Sequence, residues 1–359
     1  MSSSSTMADT SSDTPAGARG LEFPCGPAPH TGSAKEVAPG VWWIRMPLPF
    51  ALNHINLWAL RDGDGWALVD TGIGAPDTAA AWQQLFAGAL PGPVTRVFVT
   101  HMHPDHIGMA GWLTRKFGCR LWISRLEYLS CRALGADTGR EAPDDAIAFY
   151  RRAGWDEEAL ETYRARFGGF GKMVYALPDS FRRLRDGEEI TIGAHTWRVV
   201  MGNGHSPEHA CLYCPALQLL ISGDQVLPGI SSNVSVFPAE PDANPLADWL
   251  ASLDKLEREV PAGVLVLPSH NEPFRGLHQR IAALRGSQHQ ALERLRQALA
   301  QPRRAVDVYG ALFARPITAD HQLMSMATGE SLAHLNYLVA SGEARAALGE
   351  DGCTWYRRA

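Results

Sequence analysis

The stretch Val97-Phe98-Val99-Thr100-His101-Met102-His103-Pro104-Asp105-His106-Ile107-Gly108 decides how this chain is read. Three histidines and an aspartate fall within six positions, in a chain with 13 histidines among 359 residues. They follow an apolar run that reads as a β-strand, so all four side chains leave one loop at a strand's carboxyl end. His101 and His103 are two apart and share a face of an extended segment. The turn at Pro104 brings Asp105 and His106 to a second locus beside the first. Imidazole and carboxylate are ligands that suit Zn²⁺ and also Fe or Mn. The bland alternative is a polar turn that happens to hold histidines, and the density of ligand-type side chains counts against it.

His-x-His-x-Asp-His after a hydrophobic strand resembles the signature of the metallo-β-lactamase superfamily. The likeness extends over residues 36 to 275. It implies an α+β fold, a four-layer αβ/βα sandwich, and a dinuclear metal site with further ligands downstream. Gly204-His205-Ser206-Pro207-Glu208-His209 resembles the family's third ligand motif and assigns His205 to the metal, leaving His209 a supporting or structural role. Ser222-Gly223-Asp224, after the apolar Leu219-Leu220-Ile221, matches the family's bridging aspartate. A carboxylate at the end of such a strand is at least partly buried and needs a cation or donors. Val264 to Leu267 reads as a buried strand leading to His270, the last ligand. Its neighbours are Ser269 and Asn271, where family members often carry glycine.

By this carry-over His101, His103 and His205 bind one ion, Asp105, His106 and His270 bind the other, and Asp224 bridges them. The implied ions are two Zn²⁺, with Fe or Mn as alternatives, about 3.5–4 Å apart in such sites. Zinc lowers the pKa of bound water to about 7, so a metal-bound hydroxide is the expected nucleophile. Asp105 is the expected catalytic side chain as well as a ligand, orienting the nucleophile or passing a proton to the leaving group. Asp70, at the end of the strand Trp66 to Val69, has two open readings: an acceptor behind the metal loop, as in the superfamily, or a turn cap. His54 and Asn56 lie on a strand opposite this loop, where His54 reads as a plain strand histidine.

Composition fits a soluble globular protein, with 45% apolar and 20% charged residues and a formal net charge of −5. That acidic balance argues against a protein devoted to nucleic acid. The six cysteines are too few and too scattered for a disulfide framework, and the lone pair Cys211 and Cys214 reads as part of a buried strand. No stretch approaches the ~20 apolar residues of a membrane span. The Ser- and Thr-rich start lacks the basic and apolar regions of a secretory signal, so residues 1–35 are expected to be a disordered or irregular tail, with Met7 an alternative start. The expected compartment is the cytoplasm.

Residues 36–275 are expected to form the catalytic domain. Its strands are interrupted by a helical insertion at 125–185, with helices over 127–134, 142–152 and 156–167. The insertion is expected to cap the site, its Tyr150, Trp155, Tyr163, Phe167, Phe170 and Tyr175 shaping a substrate pocket. Residues 276–359 carry three helical patterns and a hairpin, resembling the winged-helix tail of the β-lactamase-like protein 2 group of the superfamily. The last helix, from Asp320, contains no Lys or Arg, and the region holds 10 basic against 7 acidic residues. Phosphate contacts need more cationic charge than this, so the tail is expected to pack or to form a homodimer rather than to bind nucleic acid. The expected function is hydrolysis of a small-molecule ester, thioester or lactone. An endoribonuclease acting on single-stranded RNA is the alternative, since some tail-bearing members are nucleases.

Overall fold

The computed structural model describes residues 20–49, 52–314, 316–317 and 321–359, Gln322 without its side chain. The expected tail up to residue 19, with Met7, and the helix start at Asp320 lie outside the described residues. Residues 20–33 are largely irregular, as their Pro and Gly content suggests, but they are tied down: Arg275 N–H donates to Glu22 O at 2.9 Å.

Seven strands form one sheet in chain order: Ala34–Ala38 (β1), Val41–Pro47 (β2), His54–Asp62 (β3), Gly65–Val69 (β4), Val94–Phe98 (β5), Arg120–Ile123 (β6) and Arg182–Arg183 (β7). The first four run antiparallel, and the Gly63-Asp64 turn sets Asp62 opposite Gly65. From β4 onward the pairs are parallel and need crossovers. Helices Pro76–Ala87 (α1), Pro104–Ile107 (α2) and Ala110–Phe117 (α3) supply the first two, and Arg125–Ala136 (α4), Asp144–Ala153 (α5) and Glu157–Arg166 (α6) the third. The second sheet contains Glu189–Ile192 (β8), His195–Gly202 (β9), His209–Cys214 (β10), Leu219–Gly223 (β11) and Leu265–Pro268 (β12), in the order β12-β11-β10-β9-β8. Here β11 and β12 are parallel and helix Pro245–Glu259 (α7) joins them. The C-terminal region adds Leu277–Ala298 (α8), Tyr309–Leu312 (α9), His321–Ala340 (α10) and the hairpin Ala344–Leu348 (β13) and Thr354–Arg358 (β14).

Period-two alternation sorts the strand side chains into layers. Leu219 and Ile221 of β11 and Leu265 and Leu267 of β12 face the first sheet, where they meet Trp58, Val69 and Phe98. Val97 and Val99 point the other way, onto α1 and α3. Leu220 and Val266 point outward from the second sheet, onto α7, α8 and α10. The result is the helix–sheet–sheet–helix sandwich expected. The same alternation puts Cys211 and Cys214 on opposite faces of β10, so they share no site; all six cysteines are free.

Two departures from the sequence reading bear on the site. Helix α7 has no counterpart in that reading. Residues 107–117 read from their sequence as one helix, but the helix is broken after Ile107, because Met109 N–H donates to Gly72 O at 3.0 Å instead of continuing it. Gly108 makes this possible: an added Cβ would lie 2.3 Å from Gly74 N and 2.7 Å from Gly72 O.

The insertion contacts both the metal loop and the tail. Its end clasps the loop's far side, with Tyr175 N–H donating to Gly108 O at 2.8 Å. Two of its aromatic rings turn to the tail: Trp155 Nε1–H donates to Thr328 Oγ1 at 2.9 Å, and the Tyr150 hydroxyl lies 3.0 Å from Ser325 Oγ, both partners on α10. Among the described side chains of α10, only Met326, Val339 and Ala340 are exposed.

Gly108→Ala should force backbone apart at a closed contact and destabilise the fold by about 2 kcal/mol. Urea denaturation reads the loss, and an unchanged midpoint would show that the backbone approach is not needed.

Candidate metal centre

Parallel strands bring their carboxyl ends to one edge of each sheet, and both edges meet here. β4 ends at Asp70, β5 at Thr100 and His101, β9 before His205, β11 at Asp224 and β12 before His270. Ligand sites in open α/β sheets lie outside such strand ends. Asp70 adopts φ +61°, a left-handed conformation that aspartate tolerates. Its carboxylate accepts Thr100 N–H and Thr100 Oγ1–H, both at 2.8 Å, and lies 2.8 Å from His106 Nδ1. Of the two open readings of Asp70, this placement is the acceptor behind the metal loop. Gly223 is required by proximity, since a Cβ there would lie 2.4 Å from His209 Nε2.

The sequence-nominated ligands come together. His101, His103 and His205 form one cluster and Asp105, His106 and His270 another, with the ligand atoms of each within 4.8 Å of one another. In the first, His101 Nε2 lies 3.0 Å from His103 Nδ1 and 3.2 Å from His205 Nε2. Asp224 belongs to both: its Oδ2 is 3.5 Å from His205 Nε2 and 3.6 Å from His106 Nε2 and His270 Nε2. Asp105 Oδ2 lies 3.5 Å from His270 Nε2 and 3.7 Å from His106 Nε2. His209 stands behind this set, its Nε2 accepting Asp224 N–H at 3.1 Å.

Several rings have one nitrogen fixed from behind. His205 Nδ1 lies 2.7 Å from Asn233 O, His270 Nδ1 lies 3.0 Å from His54 O, and His106 Nδ1 faces Asp70. Such anchoring sets the tautomer that leaves the inward nitrogen with its lone pair. Two buried polar atoms of this set, His106 Nε2 and Asp224 Oδ1, make no hydrogen bond. Unpartnered buried acceptors beside close imidazole nitrogens are what a divalent cation satisfies, so the residues fit the metal that the motif implies.

Electrostatics divides the clusters. Burial, reinforced by neighbouring rings, pushes His101 well below the ordinary imidazole range and His103 down to about 3. Burial also acts to lower His106 and His270, but there carboxylates outweigh it. Asp105, Asp224 and Asp70 hold His106 well above its ordinary value, and Asp224 and Asp105 bring His270 to about 10. Asp224 shows the converse: burial opposes its charge, and His270 and His106 more than offset that, holding it well below the usual carboxylate range.

The structure adds a residue that sequence reasoning did not single out. Glu127, fully buried, accepts Met102 N–H at 2.9 Å and Glu208 N–H at 2.8 Å, pinning both histidine loops to α4. Ser124-Arg125-Leu126-Glu127 has capping-box spacing, which reads as a helix start. A helix does start there, but Ser124 makes no cap bond. His54 and Asn56 also act from behind. The His54 carbonyl anchors His270, and Asn56 Nδ2 donates to Pro268 O at 3.0 Å and Asn271 O at 2.5 Å.

Residues 52–270 match the family described as Metallo-beta-lactamase superfamily. The chain belongs to that superfamily. Residues 292–359 match its Metallo-beta-lactamase-like, C-terminal domain. A beta-lactamase domain protein from Burkholderia ambifaria is 45% identical, with TM-score 0.86 over 94% of this chain and 98% of that one. A metallo-beta-lactamase family protein from Thermus thermophilus is 29% identical, with TM-score 0.74 over 90% of this chain and all (100%) of that one. Acyl-coenzyme A thioesterase MBLAC2 of Gallus gallus is 26% identical over 67% of this chain and 80% of its own length. Atrochrysone carboxyl ACP thioesterase of Aspergillus fumigatus is 23% identical over 65% of this chain and 41% of its own length.

Two expectations follow for a metallo-β-lactamase site of this build. Glu127→Gln should leave a buried N–H facing an amide N–H₂, costing about 1–3 kcal/mol; a metal-free sample as stable as wild type in denaturant would count against the pinning role. Ion uptake by the Asp105–His106–His270 cluster should release protons, because His106 and His270 must be neutral to bind. Affinity there should climb with pH until His270 deprotonates at about 10, and calorimetry in buffers of different ionisation heat measures the protons released. Flat affinity from about pH 7 to 9 would refute this.

Proposed function

We propose that this hydrolase of the metallo-β-lactamase superfamily holds two metal ions and cleaves an acyl thioester. The observation that carries the reading is the convergence of two ligand clusters on one buried carboxylate, Asp224. His101, His103 and His205 would hold one ion, Asp105, His106 and His270 the other, with Asp224 between them. Zn²⁺ suits the imidazole-rich set, and Fe or Mn also fits it. When bound, such ions lower the pKa of a water and polarise the substrate carbonyl.

The chain's residues supply the rest. Burial of His101 and His103 keeps them neutral and ready to ligate. The Asp105 side chain is 19% exposed, the Asp224 side chain 10%, so Asp105 is the carboxylate nearer the open side. We assign it the proton of the attacking water, which it would deliver to the departing group. A C–O bond forms, the C–S bond breaks, and the products are a carboxylate and a thiol. A thiol such as that of cysteine has a pKa of about 8.5, so the thiolate of a thioester departs with little acid assistance. That suits a site whose histidines are committed to ligation or held by anchors.

Two relatives are named thioesterases, one for acyl-coenzyme A and one for an acyl carrier protein, which favours thioesters over esters and lactones. The ribonuclease alternative finds no support in the tail. Its α10, the element a winged-helix protein would offer to nucleic acid, is buried for most of its length and has no Lys or Arg. We read the helix–hairpin tail as winged-helix-like in order but a packing element in role. No helix among the described residues is long and apolar enough to cross a membrane.

Zinc-loaded protein should hydrolyse acyl thioesters faster than matched esters and lactones and leave single-stranded RNA intact. Chelation should abolish the activity, and Asp105→Ala should lower kcat/KM by about 10² or more. Thiol release monitored by a chromogenic trap, beside an RNA gel, reads all arms. RNA cleavage lost in Asp105→Ala, with an inert thioester panel, would overturn the assignment.

A further inference from the structure

The loop between Asp224 and α7 is held from the C-terminal region as well as from its own sheet, where Ser222 Oγ–H donates to Val226 O at 2.9 Å. Buried Arg280 of α8 donates Nε–H to Leu227 O at 2.6 Å and Nη2–H to Ile230 O at 2.7 Å. Further along, Val236 N–H donates to Gly329 O of α10 at 3.0 Å. The helix comes so near that a Cβ on Gly329 would lie 2.7 Å from Ser235 Cβ. Between these fixed points sits Asn233. Its carbonyl is 2.7 Å from His205 Nδ1, its Oδ1 accepts Ser235 Oγ–H at 2.6 Å, and its Nδ2–H donates to Glu330 Oε2 at 3.1 Å. An unbroken path therefore runs from the tail's buried helix to the ring of His205.

We propose that Glu330 is a positioning residue for the metal centre: through Asn233 it fixes the direction of the His205 ring and so sets the affinity of the ion held with His101 and His103. The inference rests on the reading of His205 as a ligand. A ring nitrogen is useful only when its lone pair meets the ion, and partners behind metal ligands are typically worth about 10–100-fold in affinity. Asn233 cannot hold its own carbonyl in place, since it lies in irregular chain with no strand or helix around it. Glu330 and Ser235 occupy both ends of its amide, which locks the residue's rotamer and the peptide behind it. Protonated or ionised, the Glu330 carboxyl keeps an acceptor for Asn233 Nδ2–H, so the link does not depend on charge.

The test uses the full chain and zinc competition against a chromophoric chelator, resolving two binding constants. Glu330→Ala should weaken one of the two ions by about tenfold and leave the other unchanged. Glu330→Gln, whose Oε1 accepts the same bond, should restore the wild-type value. Asn233→Ala should match Glu330→Ala, and the double variant should be no worse than either, since both act through one contact. Should Glu330→Ala fold poorly, Asn233→Ala carries the same selective readout. His205→Ala is the control that loses the same ion outright. If it does so while Glu330→Ala and Asn233→Ala bind both ions normally, the positioning role is wrong and the ligand reading stands. Equal weakening of both ions, unrepaired by Glu330→Gln, would make Glu330 a general structural residue and overturn the proposal. If His205→Ala keeps both ions, the ligand reading fails and takes the proposal with it.

Discussion

A largely buried carboxylate beside three imidazoles is the constraint on which this molecule depends. Removing such an ion from water costs several kcal/mol even after relaxation, and the Asp224 carboxylate recovers that cost only if its partners stand in fixed places. None of the partners can be fixed by its own segment. His106 leans on Asp70 from β4, His270 on the His54 carbonyl from β3, and His205 on Asn233 from the loop after β11. The Asp224 amide in turn leans on His209. The site is therefore a property of the assembled sandwich, and the depth of its core is what allows five strand ends to be held rigid where the two sheet edges meet.

The chemistry of the site was legible in the sequence because its members are unusual residues at strand ends. His101 to His106, His205, Asp224 and His270 each follow a short apolar run, and the structure brings them within bonding reach. The sheets were legible for a similar reason, through the short apolar runs of β3, β4, β10 and β11, whose side chains are buried on both faces. What the sequence concealed is whatever acts at a distance. Glu127 sits where a capping box would put it, yet its carboxylate serves two loops from elsewhere in the chain. Strand β7 is two arginines, with no apolar signal to mark it. Asn233 lies in irregular chain and takes its meaning from contacts 28 and 97 positions away. Helix α7 is a different case: the Asn244 cap, Pro245 at its start and the spacing of Leu246, Trp249, Leu253 and Leu256 are local signals sufficient to place it.

The insertion shows how far a composition-based expectation reaches. Its aromatic content suggested a pocket wall, because large amphipathic rings suit both interfaces and cores. Composition does not say which way a ring faces. Tyr150 and Trp155 face the tail and hydrogen-bond to α10, and Leu160 joins the same apolar cluster as Leu332 and Leu335. The insertion thus links the far side of the metal loop, through Tyr175 and Gly108, to the C-terminal helix.

That linkage bears on what the tail is for. A helix free to enter a groove of nucleic acid needs a solvated, cationic face. Helix α10 instead has small and apolar residues where it meets the rest of the chain, and Gly329 admits backbone contact with the Asp224 loop. Family resemblance to the sandwich ends at His270, and resemblance to the tail resumes at 292. Yet Arg280 and Glu330, both beyond that limit, donate to or accept from the loop that backs His205 and carries Asp224. Cutting the chain near 275 would leave the Leu227 and Ile230 carbonyls without these donors and strip α8 and α10, though not α7, from the outer face of the second sheet. Buried polar groups left in that state cost more than their bonds contribute. The division visible in sequence therefore marks two matching segments and one physical core, with the tail built into the wall of the metal centre.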